Sequence, residues 1–102
     1  MSGKPYYLAY EQRYTIVREA GGDGWGHSAD DKILIDTLTN WVINNNLKSK
    51  KIIEFACGYG ACGVILSKLG CIYHGVDVAP SAVEGARKAL AEYPQAVISL
   101  FA

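Results

Sequence analysis

The chain has 102 residues, of which half are hydrophobic and a fifth are charged, so we expect one folded domain or part of one rather than a disordered chain. Ten basic residues balance ten acidic ones, which gives no electrostatic reason to expect a nucleic-acid partner or an anionic membrane surface. Three cysteines without paired C-x-x-C spacing argue against a structural zinc site or a disulfide framework, and with no apolar signal core they predict a cytoplasmic protein.

The first 27 residues are predicted to form a helix followed by a glycine-rich loop. Tyr6, Tyr10, Tyr14 and Val17 recur at spacings of four, four and three, which places them on one face of a helix. The run GGDGWG then breaks the helix and forms a loop that carries Trp25.

A second helix is predicted over residues 29–44. Ser28 and Asp31 have the three-residue spacing of a capping box, which favours a helix start at this point. The polar run NNNLKSK ends the helix. Its apolar positions are predicted to form one stripe, made of Leu34, Leu38, Trp41 and Val42.

From Lys51 onward the pattern alternates between short apolar runs and helical segments. The runs KIIEFA, CIYHGVDV and AVISLFA are predicted to be strands. The first intervening helix is ACGVILSKLG, which ends at Gly70. The second covers residues 80–93, because Pro80 suits a first turn and Ser81 with Glu84 has the capping spacing. Its inner face is predicted to consist of Val83, Ala86, Leu90 and Tyr93.

This alternation predicts an α/β fold, a Rossmann-like parallel sheet of three strands in the order 3-2-1. Ligands of such sheets bind at the carboxyl ends of the strands, beside the first strand.

A loop with closely spaced glycines follows the first strand, and we call residues 56–60 the glycine loop. Gly58 and Gly60 allow a sharp bend and a close approach to a ligand, and with Gly63 they spell G-x-G-x-x-G. The following helix directs its free N–H groups to the same space. Asp77, at the end of the second strand, can accept both hydroxyls of a ribose. Together these features predict an adenosyl-type ligand.

Glu54 distinguishes between the possible ligands. It lies two residues before the glycine loop bends, where a carboxylate would repel a dinucleotide pyrophosphate. A cofactor that carries an ammonium group and a sulfonium would be attracted instead. An alternative is that Glu54 only accepts N–H bonds from the loop backbone and holds its shape.

The segment from Ile52 to Leu90 resembles the N-terminal half of the cofactor domain of class I S-adenosylmethionine-dependent methyltransferases. That family shows an acidic residue, a spacer and then Gly-x-Gly-x-Gly. Glu54 takes the acidic place, Ala56 the first glycine place, and Gly58 and Gly60 the others. Tyr59 is bulkier than the residue often found between the last two glycines. The resemblance covers about half the chain and implies residues 28–102 as a cofactor-binding half-domain. The first strand is central in the sheet of this family, so the resemblance implies that its free edge has no partner here. We therefore expect a truncated or incomplete domain, or one completed by another chain, that self-associates or is poorly stable.

The resemblance also implies roles for individual residues. Asp77 would hold the ribose diol and Val78 would pack near the adenine, while Cys57 lies within the binding loop. Residues of the N-terminal segment often reach the cofactor in this family, which makes Tyr14, Trp25 and His27 candidates. The resemblance identifies no general base and no metal ligand.

Three functions follow as hypotheses. The first is methyl transfer from S-adenosylmethionine to an unknown acceptor, for which a small molecule is expected. The second is a non-catalytic, truncated cofactor-binding or dimerising remnant. The third is an NAD-dependent oxidoreductase, which the G-x-G-x-x-G spacing favours and Glu54 opposes.

Overall fold

The structure is a computed structural model and describes residues 28–101. The predicted first helix and the candidates Tyr14, Trp25 and His27 lie outside the described residues. The described part contains α1 (Lys32–Asn44), β1 (Lys51–Phe55), α2 (Ala61–Lys68), β2 (Ile72–Asp77), α3 (Pro80–Ala89) and β3 (Val97–Leu100). The predicted alternation of strands and helices from Lys51 onward is therefore confirmed.

The three strands form one parallel sheet in the order β1-β2-β3. This confirms the predicted Rossmann-like α/β arrangement, in which the chain steps outward from the first strand. Glu54 of β1 is in register with Gly75 of β2, and Ile53 is in register with His74. Within residues 28–101, β1 pairs on one side only, so its other edge is free of backbone partners there.

Helix α1 begins three residues later than predicted. Its N-cap is Asp31, whose Oδ1 accepts the backbone N–H of Leu34 at 3.1 Å. Ser28 stabilises the preceding turn instead, because its hydroxyl accepts the N–H of Asp30 at 3.2 Å. The predicted start at residue 29 is thus wrong, since aspartate caps a helix as well as serine does and here it stands nearer the apolar run.

Helix α3 begins at Pro80 as predicted, but Ser81 does not cap it. The N-cap is Ala79, which makes no side-chain capping bond, and Ser81 is buried inside the first turn. Proline favours the first helical position because it lacks an N–H, which moves the cap to the residue before it. The helix ends at Ala89, four residues before the predicted end. Gly70, with φ of 90°, follows α2 as predicted.

The core lies between the helices and one face of the sheet. It is formed by Val42, Leu66, Tyr73, Val83, Ala86, Leu90 and Ile98, together with two cysteines. Three of the four residues predicted for the inner face of α3 are buried, and Tyr93 is half-buried. The prediction that Trp41 shares one apolar stripe of α1 with Val42 is wrong, because Trp41 is 43% exposed whereas Val42 is buried.

The other face of the sheet is uncovered among the described residues. Ile53 and Phe55 of β1 and Val97 of β3 are 52%, 76% and 51% exposed. Parallel sheets usually have both faces covered. Self-association therefore stays a prediction, which the exposed apolar face and the free β1 edge both favour. None of the described helices is long and apolar enough to cross a membrane.

Candidate functional site

The glycine loop bends sharply because three of its residues have a left-handed backbone. The φ angles are 59° at Ala56, 58° at Gly58 and 89° at Gly60. These are the three positions at which the family resemblance expects glycine. Alanine in this region is strained by roughly 1 kcal/mol, whereas glycine is not. The left-handed backbone of the glycine loop therefore favours glycine at the three positions that carry the family resemblance.

The glycine loop is held at both of its ends. The N–H of Cys57 donates to the Val76 carbonyl at 3.0 Å, which continues the β1–β2 hydrogen bonding beyond Phe55. The N–H of Gly60 donates to the Cys57 carbonyl at 3.2 Å and closes a turn. A Cβ on Gly60 would lie 3.2 Å from the Cβ of Ala86, so the loop contacts α3 closely.

Asp77 joins the end of β2 to the glycine loop. Its Oδ2 accepts the N–H of Gly58 at 2.9 Å, and its Oδ1 accepts the N–H of Ala79 at 3.0 Å. The side chain is only 5% exposed. The structure thus brings Asp77 and the loop together across nineteen residues of sequence. Each carboxylate oxygen has a second lone pair, so both retain the capacity to accept a ligand hydroxyl.

Glu54 has a partner that the sequence reasoning missed. The Tyr73 hydroxyl donates to Oε1 of Glu54 at 2.5 Å. The alternative role for Glu54, that of holding the loop backbone, does not apply to Gly58 or Gly60, because the N–H of Gly58 goes to Asp77 and that of Gly60 to a carbonyl. Asp77 shapes the loop, and Glu54 lies beside it on β1.

The environment of Glu54 disfavours its charge. Burial raises the pKa of the Glu54 carboxyl above its usual range, while the hydrogen bonds from Tyr73 and Cys62 act in the opposite direction. The negative charge of Asp77 raises this pKa further. The groups that perturb Glu54 within the described residues are two neutral donors and a second acid, and none of them is a cation.

Tyr73 is fixed in place by two glycines. It is the largest fully buried side chain of the described residues, at 1% exposure. A Cβ on Gly63 would lie 2.4 Å from Cε2 of its ring, and a Cβ on Gly75 would lie 2.8 Å from its hydroxyl oxygen. The third glycine of G-x-G-x-x-G is thus explained by packing against Tyr73. Gly75 is in register with Glu54, which leaves room for the Tyr73 side chain to reach across.

The thiols near the loop are poor nucleophiles. Burial raises the pKa of Cys57 to about 12 and that of Cys62 to about 11, with the neighbouring carboxylates adding to both shifts. The Cys57 thiol donates to the Gly58 carbonyl at 3.7 Å. Val78 is half-buried and directly follows Asp77, so it lies beside the loop at the carboxyl end of β2. In the range 28–101, no cluster of three or more potential ligands is placed to hold a metal ion.

Known proteins resemble this chain in sequence and in structure. No protein-family model matches the chain. The ribosomal protein L11 methyltransferase of Photorhabdus laumondii is 35% identical over 48 residues, which cover 46% of this chain and 16% of that protein. The solved structure of magnesium protoporphyrin IX methyltransferase from Synechocystis PCC 6803, with bound S-adenosylmethionine, matches with a TM-score of 0.69 and 18% identity. That match covers 99% of this chain and 56% of the other.

A second solved structure gives the same result. The S-adenosylmethionine-dependent methyltransferase from Anabaena variabilis matches with a TM-score of 0.67 and 23% identity over 98% of this chain. This chain has the class I S-adenosylmethionine-dependent methyltransferase fold. It spans 40% of the Anabaena chain and 56% of the Synechocystis chain, and residues 28–101 contribute three strands of that fold.

Proposed function

We propose that this chain binds S-adenosylmethionine beside the glycine loop and serves a methyltransferase that acts on a small-molecule acceptor. The observation that supports this most strongly is the bond from Gly58 to Asp77 at 2.9 Å. It places a backbone bend that favours close ligand approach next to a buried carboxylate that can accept ribose hydroxyls. The same two features carry the family resemblance in the sequence.

Separate residues of this site fit the ribose, the adenine and the methionine part of the adenosyl cofactor. Asp77 would accept the ribose hydroxyls through its remaining lone pairs, and Val78 would contact the adenine. Gly58 lets the backbone approach the ligand. Ala56 would lie near the methionine part, with the backbone of Cys57 in the same loop. Tyr14 and Trp25 remain candidates from the N-terminal segment.

The charges near the loop favour this cofactor over NAD. The charge of Asp77 raises the pKa of the Glu54 carboxyl, and the described groups that perturb Glu54 include no cation. A pyrophosphate would add negative charge to a site with two carboxylates. An ammonium group would instead supply the cation that Glu54 lacks. The N-terminus of α2 would favour a phosphate, but the carboxylates of Glu54 and Asp77 would oppose phosphate binding there.

The chain's part in the reaction is binding and alignment. When bound, the cofactor supplies an electrophilic methyl group on sulfur, which a nucleophile of the acceptor attacks. The residues of the glycine loop and Asp77 would hold the cofactor in one orientation, and such alignment supplies much of the acceleration in group transfer. Cys57 and Cys62 remain protonated at neutral pH, because burial raises the pKa of each thiol to about 12 and about 11.

A binding competition tests the proposal. S-adenosylhomocysteine and NAD are titrated separately into the full chain by calorimetry. We expect saturable binding of S-adenosylhomocysteine and none of NAD. A Glu54→Gln variant should discriminate less well between the two, because the repelling charge is gone. Binding of NAD alone, or of neither compound, would refute the assignment.

A second candidate is a non-catalytic cofactor-binding or dimerising role. The free edge of β1 and the exposed side chains of Ile53 and Phe55 favour it, because both invite association with another chain. Transfer of a labelled methyl group to a panel of small molecules, proteins and RNA separates the two functions. Light scattering on the wild type and on Phe55→Lys measures the association. Turnover by the chain excludes the non-catalytic candidate.

A further inference from the structure

The Glu54–Tyr73 pair is the strongest unassigned arrangement among the described residues. One edge of the Tyr73 ring and its hydroxyl pack so closely against Gly63 and Gly75 that a Cβ at either position would lie within 3 Å, and this packing fixes the position of the hydroxyl. That place is Oε1 of Glu54, on the neighbouring strand. A buried tyrosine hydroxyl needs an acceptor, but a core tyrosine could have used a backbone carbonyl instead. The hydrogen bond from Tyr73 therefore holds the Glu54 carboxylate in one orientation beside the glycine loop.

We propose that Tyr73 is a positioning residue, which holds the Glu54 carboxylate so that the site prefers adenosyl ligands carrying an ammonium group. This inference rests on the proposed function, because it specifies how the same site would distinguish between adenosyl compounds. S-adenosylhomocysteine carries the ammonium group. 5′-Methylthioadenosine has the same adenosyl part and a thioether but lacks the amino acid.

The bond from Tyr73 acts on both the position and the charge of Glu54. A glutamate side chain has several rotatable bonds, and fixing it in advance removes an entropic penalty from ligand binding. Burial raises the pKa of Glu54, and the hydroxyl of Tyr73 opposes that shift by donating to the charged form. Removal of the hydroxyl should therefore both release the side chain and make it protonate at a higher pH.

Other titratable groups face Glu54 from each neighbouring element. Cys62 on α2 also opposes the shift by hydrogen bonding, and Asp77 at the end of β2 adds to it by charge. Cys57 in the glycine loop has its own pKa raised to about 12, partly by Glu54. Because both thiols stay neutral, Glu54 is the group of this cluster that we expect to govern the pH dependence of ammonium binding.

The test compares the two ligands on matched variants of the full chain. Tyr73→Phe keeps the ring and removes only the hydroxyl, while Tyr93→Phe removes a hydroxyl from a half-buried tyrosine at the end of the core. By calorimetry near neutral pH, we expect Tyr73→Phe to weaken S-adenosylhomocysteine binding about tenfold and 5′-methylthioadenosine binding less than about twofold. Tyr93→Phe should change neither.

A double-mutant comparison separates positioning from general packing. In a Glu54→Gln background, Tyr73→Phe should change the affinity for S-adenosylhomocysteine by less than about twofold, because the charge on which it acts is absent. An equal loss for both ligands, or a full loss in the Glu54→Gln background, would overturn the positioning role and leave the proposed function intact. If the wild type binds neither ligand, both are overturned.

A wild-type measurement keeps the inference testable if Tyr73→Phe fails to fold. The ratio of the two affinities is followed from about pH 7 down to about pH 5, a range that lies below the usual pKa of an α-amino group and above that of an α-carboxyl group. The preference for S-adenosylhomocysteine should fall as Glu54 becomes protonated. A ratio that stays constant over this range would contradict a Glu54-dependent preference and with it the role of Tyr73.

Discussion

Replacing Asp77 by alanine should strongly destabilise the fold even without any ligand. The side chain accepts two backbone hydrogen bonds, from Gly58 at 2.9 Å and from Ala79 at 3.0 Å, and it is 5% exposed. Hydrogen bonds to a charged acceptor contribute about 1.5–3 kcal/mol each, so their joint loss lowers the free energy of unfolding by about 3–6 kcal/mol. A domain of this size has only about 5–15 kcal/mol in total.

Urea unfolding followed by far-UV circular dichroism measures this effect. Asp77→Asn retains one carbonyl acceptor and should lose about half as much, which makes it the usable variant if the alanine protein does not fold. Asp36→Ala is the matched control, because this carboxylate forms an exposed pair with Lys32 and should contribute less than about 0.5 kcal/mol. If Asp77→Ala stays within about 0.5 kcal/mol of the wild type, Asp77 does not hold the loop.

Three further predictions concern the surroundings of the site. Burial raises the pKa of Glu54, so the wild type should lose stability as the pH rises from the usual glutamate range through that raised pKa, and urea unfolding of Glu54→Gln should show no such decline. Gly63→Ala would place a methyl group 2.4 Å from the Tyr73 ring and should lower the free energy of unfolding by about 1–3 kcal/mol. Gly85→Ala, where the nearest side-chain atom is 3.2 Å away, should be neutral or slightly stabilising, and a loss equal to that of Gly63→Ala would contradict the clash. Ala56→Gly should change the free energy of unfolding by less than about 1 kcal/mol, whereas Ala56→Val should lower it by more, because φ is 59° at this position. Equal effects of the two substitutions would refute the backbone strain at Ala56.

The order and type of the elements were predictable because they depend on local patterns. Apolar runs of strand length alternate with helical segments, and Gly70 and Pro80 mark two of the boundaries as expected. Once that alternation is known, the parallel sheet and its order follow from the short connections. The meeting of Asp77 with the glycine loop also follows, since both lie at carboxyl ends of adjacent strands.

The errors arise where two residues could fill one role. Ser28 and Asp31 are both good caps, and only the tertiary position of α1 decides between them. Trp41 and Val42 are adjacent apolar residues, of which the core accepts one.

Tyr73 was missed because its importance depends on register, and no local pattern states which residue of β1 lies opposite Gly75. The glycines at positions 63 and 75 were the available signal, because each leaves space for a large neighbour.

Asp77 and Glu54 affect the fold in opposite ways, and this decides how binding data on them must be interpreted. Asp77 stabilises the bend by accepting two backbone N–H bonds, so a binding loss in Asp77→Ala would combine the loss of the proposed ribose contact with the loss of loop structure. Glu54 has a raised pKa, so its charge is unfavourable in the unliganded fold. A residue whose charge destabilises the fold suggests a role in ligand binding. A residue that stabilises the backbone already has a structural role. Binding data on Glu54→Gln therefore report on the proposed cofactor more directly than binding data on Asp77→Ala do.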